Sequence, residues 1–143
     1  MKRARSLTSI AAIIMVVICA AAAHADEGAD VDGAQAAARA WLAQIDAGHY
    51  GQAWNSTSAF FQHAMPAAQF EHSLDIVRKP LGAVTSRKLK SATYTTSLPG
   101  APPGKYVVIQ YRTDFAGKRD GVETITPMLD KDGRWRVSGY YIR

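Results

Sequence analysis

Glu123 and Arg87 are the two charged side chains whose positions promise chemistry. Each falls in a run of β-branched and aromatic residues, where successive side chains alternate between faces. Glu123 shares parity with Ile125 and Leu129, and Arg87 shares parity with Leu89. If those apolar residues face a core, both charges point inward. In a simple meander one strand separates the two, a gap of about 10 Å that two long side chains can close. A buried charge must find a partner or neutralise. The pair therefore reads either as an internal ion pair or as two groups that meet a ligand. Arg87 and Glu123 are candidate ligand-binding residues on this argument, together with Trp54 and Tyr111. Those two join an apolar ring to a polar tip and suit the lining of a cavity between a helix and the sheet.

Catalysis has less support. An isomerase-type site needs a carboxylate base in an apolar pocket with a tyrosine or protonated acid opposite. Asp46, Asp75 and Glu123 are the available bases, and Tyr50, Tyr111 and Tyr140 the available donors, but none stands at a diagnostic spacing. Catalytic residues therefore stay unassigned. His49, His63 and His72 form no pair four residues apart, so no metal site and no cofactor is expected. There is no nucleophile-elbow motif. The Gly100–Gly104 segment contains Pro102 and Pro103, which lack the N–H donors that cradle phosphate.

These residues need elements to hold them. Ala34, Ala37, Ala38, Trp41, Leu42 and Ile45 recur at helical spacing after Asp32, and Gly48 is a natural stop. A second helix is expected over about 50–64, with Tyr50, Ala53, Trp54, Thr57, Phe60 and Phe61 on one face. Pro66 suits the first position of a third helix, whose apolar face would be Phe70, Leu74, Val77 and Leu81. Beyond Gly82 four strands are expected, at about 83–97, 105–116, 121–129 and 134–142, joined by short Gly- and Pro-rich turns. Short links favour an antiparallel meander. Parity groups Val107, Ile109, Tyr111 and Phe115, and likewise Trp135, Val137 and Tyr141. Pro127 suggests a bulge or an early end to the third strand.

The first 25 residues read as an export signal. Lys2, Arg3 and Arg5 precede an uncharged apolar run from Ile10 to Ala23, and Ala23-His24-Ala25 has the small-x-small form of a cleavage site. Cys19, the single cysteine of the 143 residues, would leave with that segment, so no disulfide is expected afterwards. Loss of the three leading cations also brings the net charge from +5 close to neutral. Nucleic acid is not an expected partner of such a product. The remaining charge is uneven. Asp26, Glu27, Asp30, Asp32 and Asp46 crowd one end, whereas residues 78–119 gather Lys88, Lys90, Arg112 and other bases against Asp114. Such a run is a solvated face or a patch for an anionic ligand or envelope surface.

Several segments resemble a bacterial exported family. They are Ala38-Arg39-Ala40-Trp41-Leu42 with Asp46-Ala47-Gly48-His49-Tyr50, then Val77-Arg78-Lys79-Pro80-Leu81-Gly82 with Ser86-Arg87-Lys88. Leu98-Pro99-Gly100, Gly104-Lys105-Tyr106 and the ending Asp132-Gly133-Arg134-Trp135-Arg136-Val137-Ser138-Gly139-Tyr140 complete the series in order. The family is domain of unknown function 4019, and the resemblance runs from about residue 34 to 143. It implies no activity, substrate or catalytic residue. The layout is also similar to nuclear-transport-factor-2-like and cystatin-like domains, an analogy of fold alone.

The expected protein is thus an α+β domain of three N-terminal helices packed on a four-stranded antiparallel curved sheet. Residues 1–25 are its signal peptide, 26–32 a flexible acidic leader and 33–143 the single domain. Periplasmic or secreted localisation follows, with no stable membrane span after cleavage. The expected function is a non-enzymatic binding or accessory module for an unidentified small ligand or envelope protein. A small isomerase or dehydratase with a pocket carboxylate, and a self-associating scaffold that forms a homodimer, are the alternatives.

Overall fold

Two alanines, Ala34 and Ala38, let a long helix lie close against a sheet, and Trp41, Leu42 and Ile45 fill the space beyond them. The computed structural model describes the backbone of residues 10–143 and the side chains of residues 24–143. Lys2, Arg3 and Arg5 of the expected signal lie outside the described residues, as does the side chain of Cys19. Helix α1 spans Ile10–Asp46. Residues 26–32, expected as a flexible leader, are part of this helix. Asp30 is held there by Lys105 at 2.8 Å, which ties the helix to the start of the second strand. No helix among the described residues is long and apolar enough to cross a membrane.

The expected second helix is two. Helix α2 spans Tyr50–Asn55 and α3 spans Ala59–Ala64. Ser56, Thr57 and Ser58 break the run because their hydroxyls compete for backbone groups. Thr57 Oγ1 donates to Trp54 O at 2.6 Å, and Ser58 Oγ caps α3 by accepting from Phe61 N at 3.2 Å. Helix α4 spans Ala67–Leu81, with Pro66 as its N-cap rather than its first residue. The buried stripe of α4 is Phe70, Leu74 and Arg78. Val77, placed on that stripe by the apolar pattern, is 44% exposed.

Strands β1 (Val84–Thr95), β2 (Tyr106–Phe115), β3 (Lys118–Leu129) and β4 (Trp135–Ile142) form one open antiparallel sheet in the order β1-β2-β3-β4. The α+β arrangement of helices followed by a meander is the one read from the sequence, with four described helices instead of three. Gly117 makes the tightest approach: a Cβ there would come within 2.6 Å of Pro80 O. Only glycine lets the β2–β3 turn seat under the end of α4.

Parity holds in β2, where Val107, Ile109, Tyr111, Thr113 and Phe115 are all buried. It fails in β4. The β3–β4 register slips between Ile125 and Pro127, at the proline that cannot donate to the ladder. One extra residue in β4 reverses its faces beyond that point. Tyr140 joins the core, and Tyr141, expected inward with Trp135 and Val137, is 50% exposed.

Candidate functional site

The inner face of the sheet carries a polar cluster, buried at Arg78, Thr113 and Glu123 and opening to solvent at Asp46, with one member from each of six elements: Asp46 of α1, Arg78 of α4, Arg87 of β1, Thr113 of β2, Glu123 of β3 and Tyr140 of β4. Arg87 and Thr113 are direct cross-strand partners. Strand alternation brings Glu123 to the same face, fully buried at 0% exposure.

Glu123 is surrounded by donors. Arg87 Nε donates to Oε1 at 2.7 Å and Arg87 Nη2 to Oε2 at 3.3 Å. Thr113 Oγ1 donates to Oε1 at 2.5 Å, and the Tyr140 hydroxyl to Oε2 at 2.7 Å. Arg78 Nη1 lies 4.0 Å from Oε2 and donates to the Tyr140 oxygen at 3.3 Å. Asp46 completes the cluster, accepting from Arg78 Nη2 at 2.9 Å and from Arg87 Nη1 and Nη2 at 2.6 and 3.0 Å. Arg78 also sits over the Phe115 ring, its Cζ 5.2 Å from the centroid.

The electrostatics follow from that geometry. Asp46 ends α1, where the helix dipole disfavours a negative charge. Burial pushes its carboxyl up, but the hydrogen bonds from Arg87 and Arg78 outweigh burial and hold it below its ordinary value. Burial raises the Tyr140 hydroxyl well above the usual tyrosine range, and the neighbouring Glu123 carboxylate adds to the rise. Arg87 is likewise raised: burial works against its charge, yet its bonds to Asp46 and Glu123 prevail.

Three of the four candidate residues meet here. Arg87 and Glu123 bond directly, and Tyr111 is the cross-strand partner of Glu123. Tyr111 is 6% exposed, and its hydroxyl lacks a hydrogen-bond partner. Trp54 stands apart. Its Nε1 donates to Met65 O at 2.8 Å, fastening α2 to the end of α3. Arg78 and Thr113 escaped the sequence reading because a search for helix and strand faces counts apolar residues. The one available signal was the i, i+4 alignment of Arg78 with Leu74 and Phe70. Among the described residues no group of three or more His, Cys, Asp or Glu is placed to hold a metal ion.

Two concavities flank β4. A broad groove of about 570 Å³ runs between α1, the α2–α3 turn and the start of β4, past Trp41, Gln44, Asn55 and Trp135. A smaller pocket of about 220 Å³ is mostly apolar, with Phe61, Met65, Phe70, Leu74, Val77, Tyr140, Tyr141 and Ile142 around it and Ser73 as a polar member of its lining.

The family profile described as a protein of unknown function, DUF4019, matches residues 37–140. The chain belongs to the DUF4019 family. All six members of the cluster lie inside the matched span. No curated protein and no solved structure matches this DUF4019 chain, so the analogy to nuclear-transport-factor-2-like and cystatin-like domains gains no support.

Three outcomes are expected. Glu123→Leu strips the two guanidiniums and two hydroxyls of their shared acceptor, and should cost about 3–5 kcal/mol in urea unfolding. Tyr111→Phe removes a hydroxyl that makes no hydrogen bond, and should be neutral or stabilise by about 1 kcal/mol in the same assay. Stability should also fall at both pH extremes. The Asp46 contribution is complete above its unfolded value of 3.8 and is lost as pH falls through its lower folded value. Tyr140 contributes fully below its unfolded value of 10.0 and loses its share as pH rises above it. Urea midpoints measured across pH should show a shallower acid limb in Asp46→Asn; an unchanged limb would rule out this assignment.

Proposed function

We propose that this is an exported, periplasmic or secreted, non-enzymatic binding module that takes an extended polypeptide segment along β4. Export is supported by the basic start, apolar run and cleavage-type ending of residues 1–25. The binding reading is carried by one observation: the apolar pocket opens beside the edge of the sheet.

That edge is partly covered. Ser58 N–H donates to Val137 O at 2.9 Å and closes it there. Further along, Arg143 and Val122 exchange both backbone bonds, at 2.9 and 3.0 Å. Antiparallel alternation then turns the backbone groups of Tyr140 and Ile142 away from β3. Both residues also line the pocket. An added strand would gain main-chain bonds at Tyr140 and Ile142, and an apolar side chain on it would enter between Phe61, Met65 and Val77. The volume suits one such anchor and falls below the usual range for a drug-sized ligand.

The isomerase or dehydratase alternative requires a carboxylate free to take a proton. Asp46 and Glu123 each accept from guanidinium groups, and Asp75 pairs with Lys79 at 3.2 Å. This arrangement favours a structural role for all three.

Selection of displayed peptides on the purified chain tests the reading. Enriched peptides should alternate apolar and polar residues, and Val77→Glu should weaken them about tenfold or more without lowering the melting temperature. Enrichment indifferent to Val77→Glu would refute the pocket as the anchor site. A dimer in light scattering that Val77→Glu dissolves would assign the edge to a second copy of the chain instead.

A further inference from the structure

The solvent face of the sheet carries its own pattern. Arg87 points inward to Glu123, so Lys88 points outward. Arg112 lies between the buried Tyr111 and Thr113 and also points outward, 69% exposed. Lys88 and Arg112 are direct cross-strand partners. Arg112 in turn faces Val122, which pairs with Arg143. One row across the sheet therefore reads Lys88, Arg112, Val122, Arg143, spanning about 14 Å by strand spacing. Like charges set directly opposite each other destabilise a sheet. Threonine at Lys88 would serve the strand better.

Two acids share this face, and both sit at its hairpin end. Asp120 Oδ1 lies 3.4 Å from Arg112 Nε, and Asp114 accepts from Asp120 N at 2.8 Å. Lys90, also exposed, falls at the irregularity of β1 between Leu89 and Ser91. The Arg143 guanidinium lies over the Tyr141 ring, 5.5 Å from its centroid, so a half-exposed aromatic borders the charges. None of Lys88, Arg112 and Arg143 lines the grooves described above. A single small anion would want a cradle. A row of cations on an open face, with an amphipathic tyrosine beside it, matches a surface on which the negative charge is spread out.

We infer that the outer face of the sheet docks on an anionic phospholipid bilayer, with Lys88, Arg112 and Arg143 as its contact row. This surface meets the β4 pocket at Tyr141, but its three cations lie outside that pocket, and it does not depend on peptide binding there. Its attraction is electrostatic and screened beyond about 8 Å at physiological ionic strength, so contact is close and salt-sensitive.

Co-sedimentation of the full chain with vesicles tests the inference. One set is phosphatidylcholine alone, the other phosphatidylcholine with phosphatidylglycerol. The parent should prefer the phosphatidylglycerol vesicles, and added salt should abolish the preference. The triple variant Lys88→Thr, Arg112→Thr, Arg143→Thr should lose on the order of a hundredfold in phosphatidylglycerol binding. Its binding to phosphatidylcholine, whose headgroup carries no net charge, should not change. Its melting temperature should equal or exceed the parent's, because opposed charges have been removed. Undiminished phosphatidylglycerol binding by the variant would overturn the inference. So would equal affinity of the parent for a single-stranded DNA oligonucleotide at physiological salt, which would mark a general polyanion surface.

Discussion

A carboxylate with no exposure cannot stand in a protein interior without cations and donors around it, and Glu123 imposes that demand here. Its two oxygens accept four hydrogen bonds, from Arg87, Thr113 and Tyr140. Those donors come from the other three strands, so the charge is satisfied only when the whole meander is in register. Two guanidiniums near one carboxylate would leave a positive excess. Asp46 balances it, and its place at the end of α1 brings that helix over Arg78 of α4 and Arg87 of β1. The cluster thus fixes where both long helices end against the sheet. Breaking such a buried pair is costly, but an apolar replacement of the whole set is often neutral. Its value to this fold is geometric: it penalises slipped registers, which would bury the same charges unpaired.

How much of this was legible follows from chain distance and from parity. Arg87 and Glu123 could be paired from the sequence because each lies on a strand whose inner face is marked by apolar neighbours. The strands themselves were bounded by glycine and proline turns, and they appear close to where those turns put them. Asp46 was visible as an acid, but its partners lie 32 and 41 residues away, and nothing local announces them. Arg78 was hidden by the premise that a buried helix face is apolar. Val77 was placed inward by the same premise, although the stripe with strict four-residue spacing ends on Arg78. Tyr141 exchanged roles with Tyr140 because the irregularity suspected at Pro127 adds a residue to β4, and one residue reverses a face. Trp54 drew notice for its chemistry, and the structure uses its N–H to close the α2–α3 corner.

The division of labour between faces bears on function. Inside, nearly every polar group is answered, and a group held by two guanidiniums is poorly placed to bind or to move a proton. Chemistry directed at other molecules falls instead to the Tyr140–Ile142 edge and to the outer face, where cations outnumber the two acids beside them. The two surfaces differ in kind. The edge offers direction and an apolar anchor, which suit one partner in one orientation. The outer face offers charge without a pocket, which suits proximity to a surface rather than recognition of a molecule.

Like-charge pairing across strands works against the sheet that holds it. Lys88 opposite Arg112 lowers stability slightly, and the exposed Arg112–Asp120 contact at 3.4 Å offsets little of it. A sheet selected for stability alone would place threonine or an opposite charge at one of the two positions, as it does at the hairpin end where Asp120 meets Arg112. Features that work against the fold are expected where an external contact offsets them. In this domain Glu123 is met by donors from three strands, whereas Lys88 is set opposite another cation. That contrast locates the unmet electrostatic demand on the outside of the sheet.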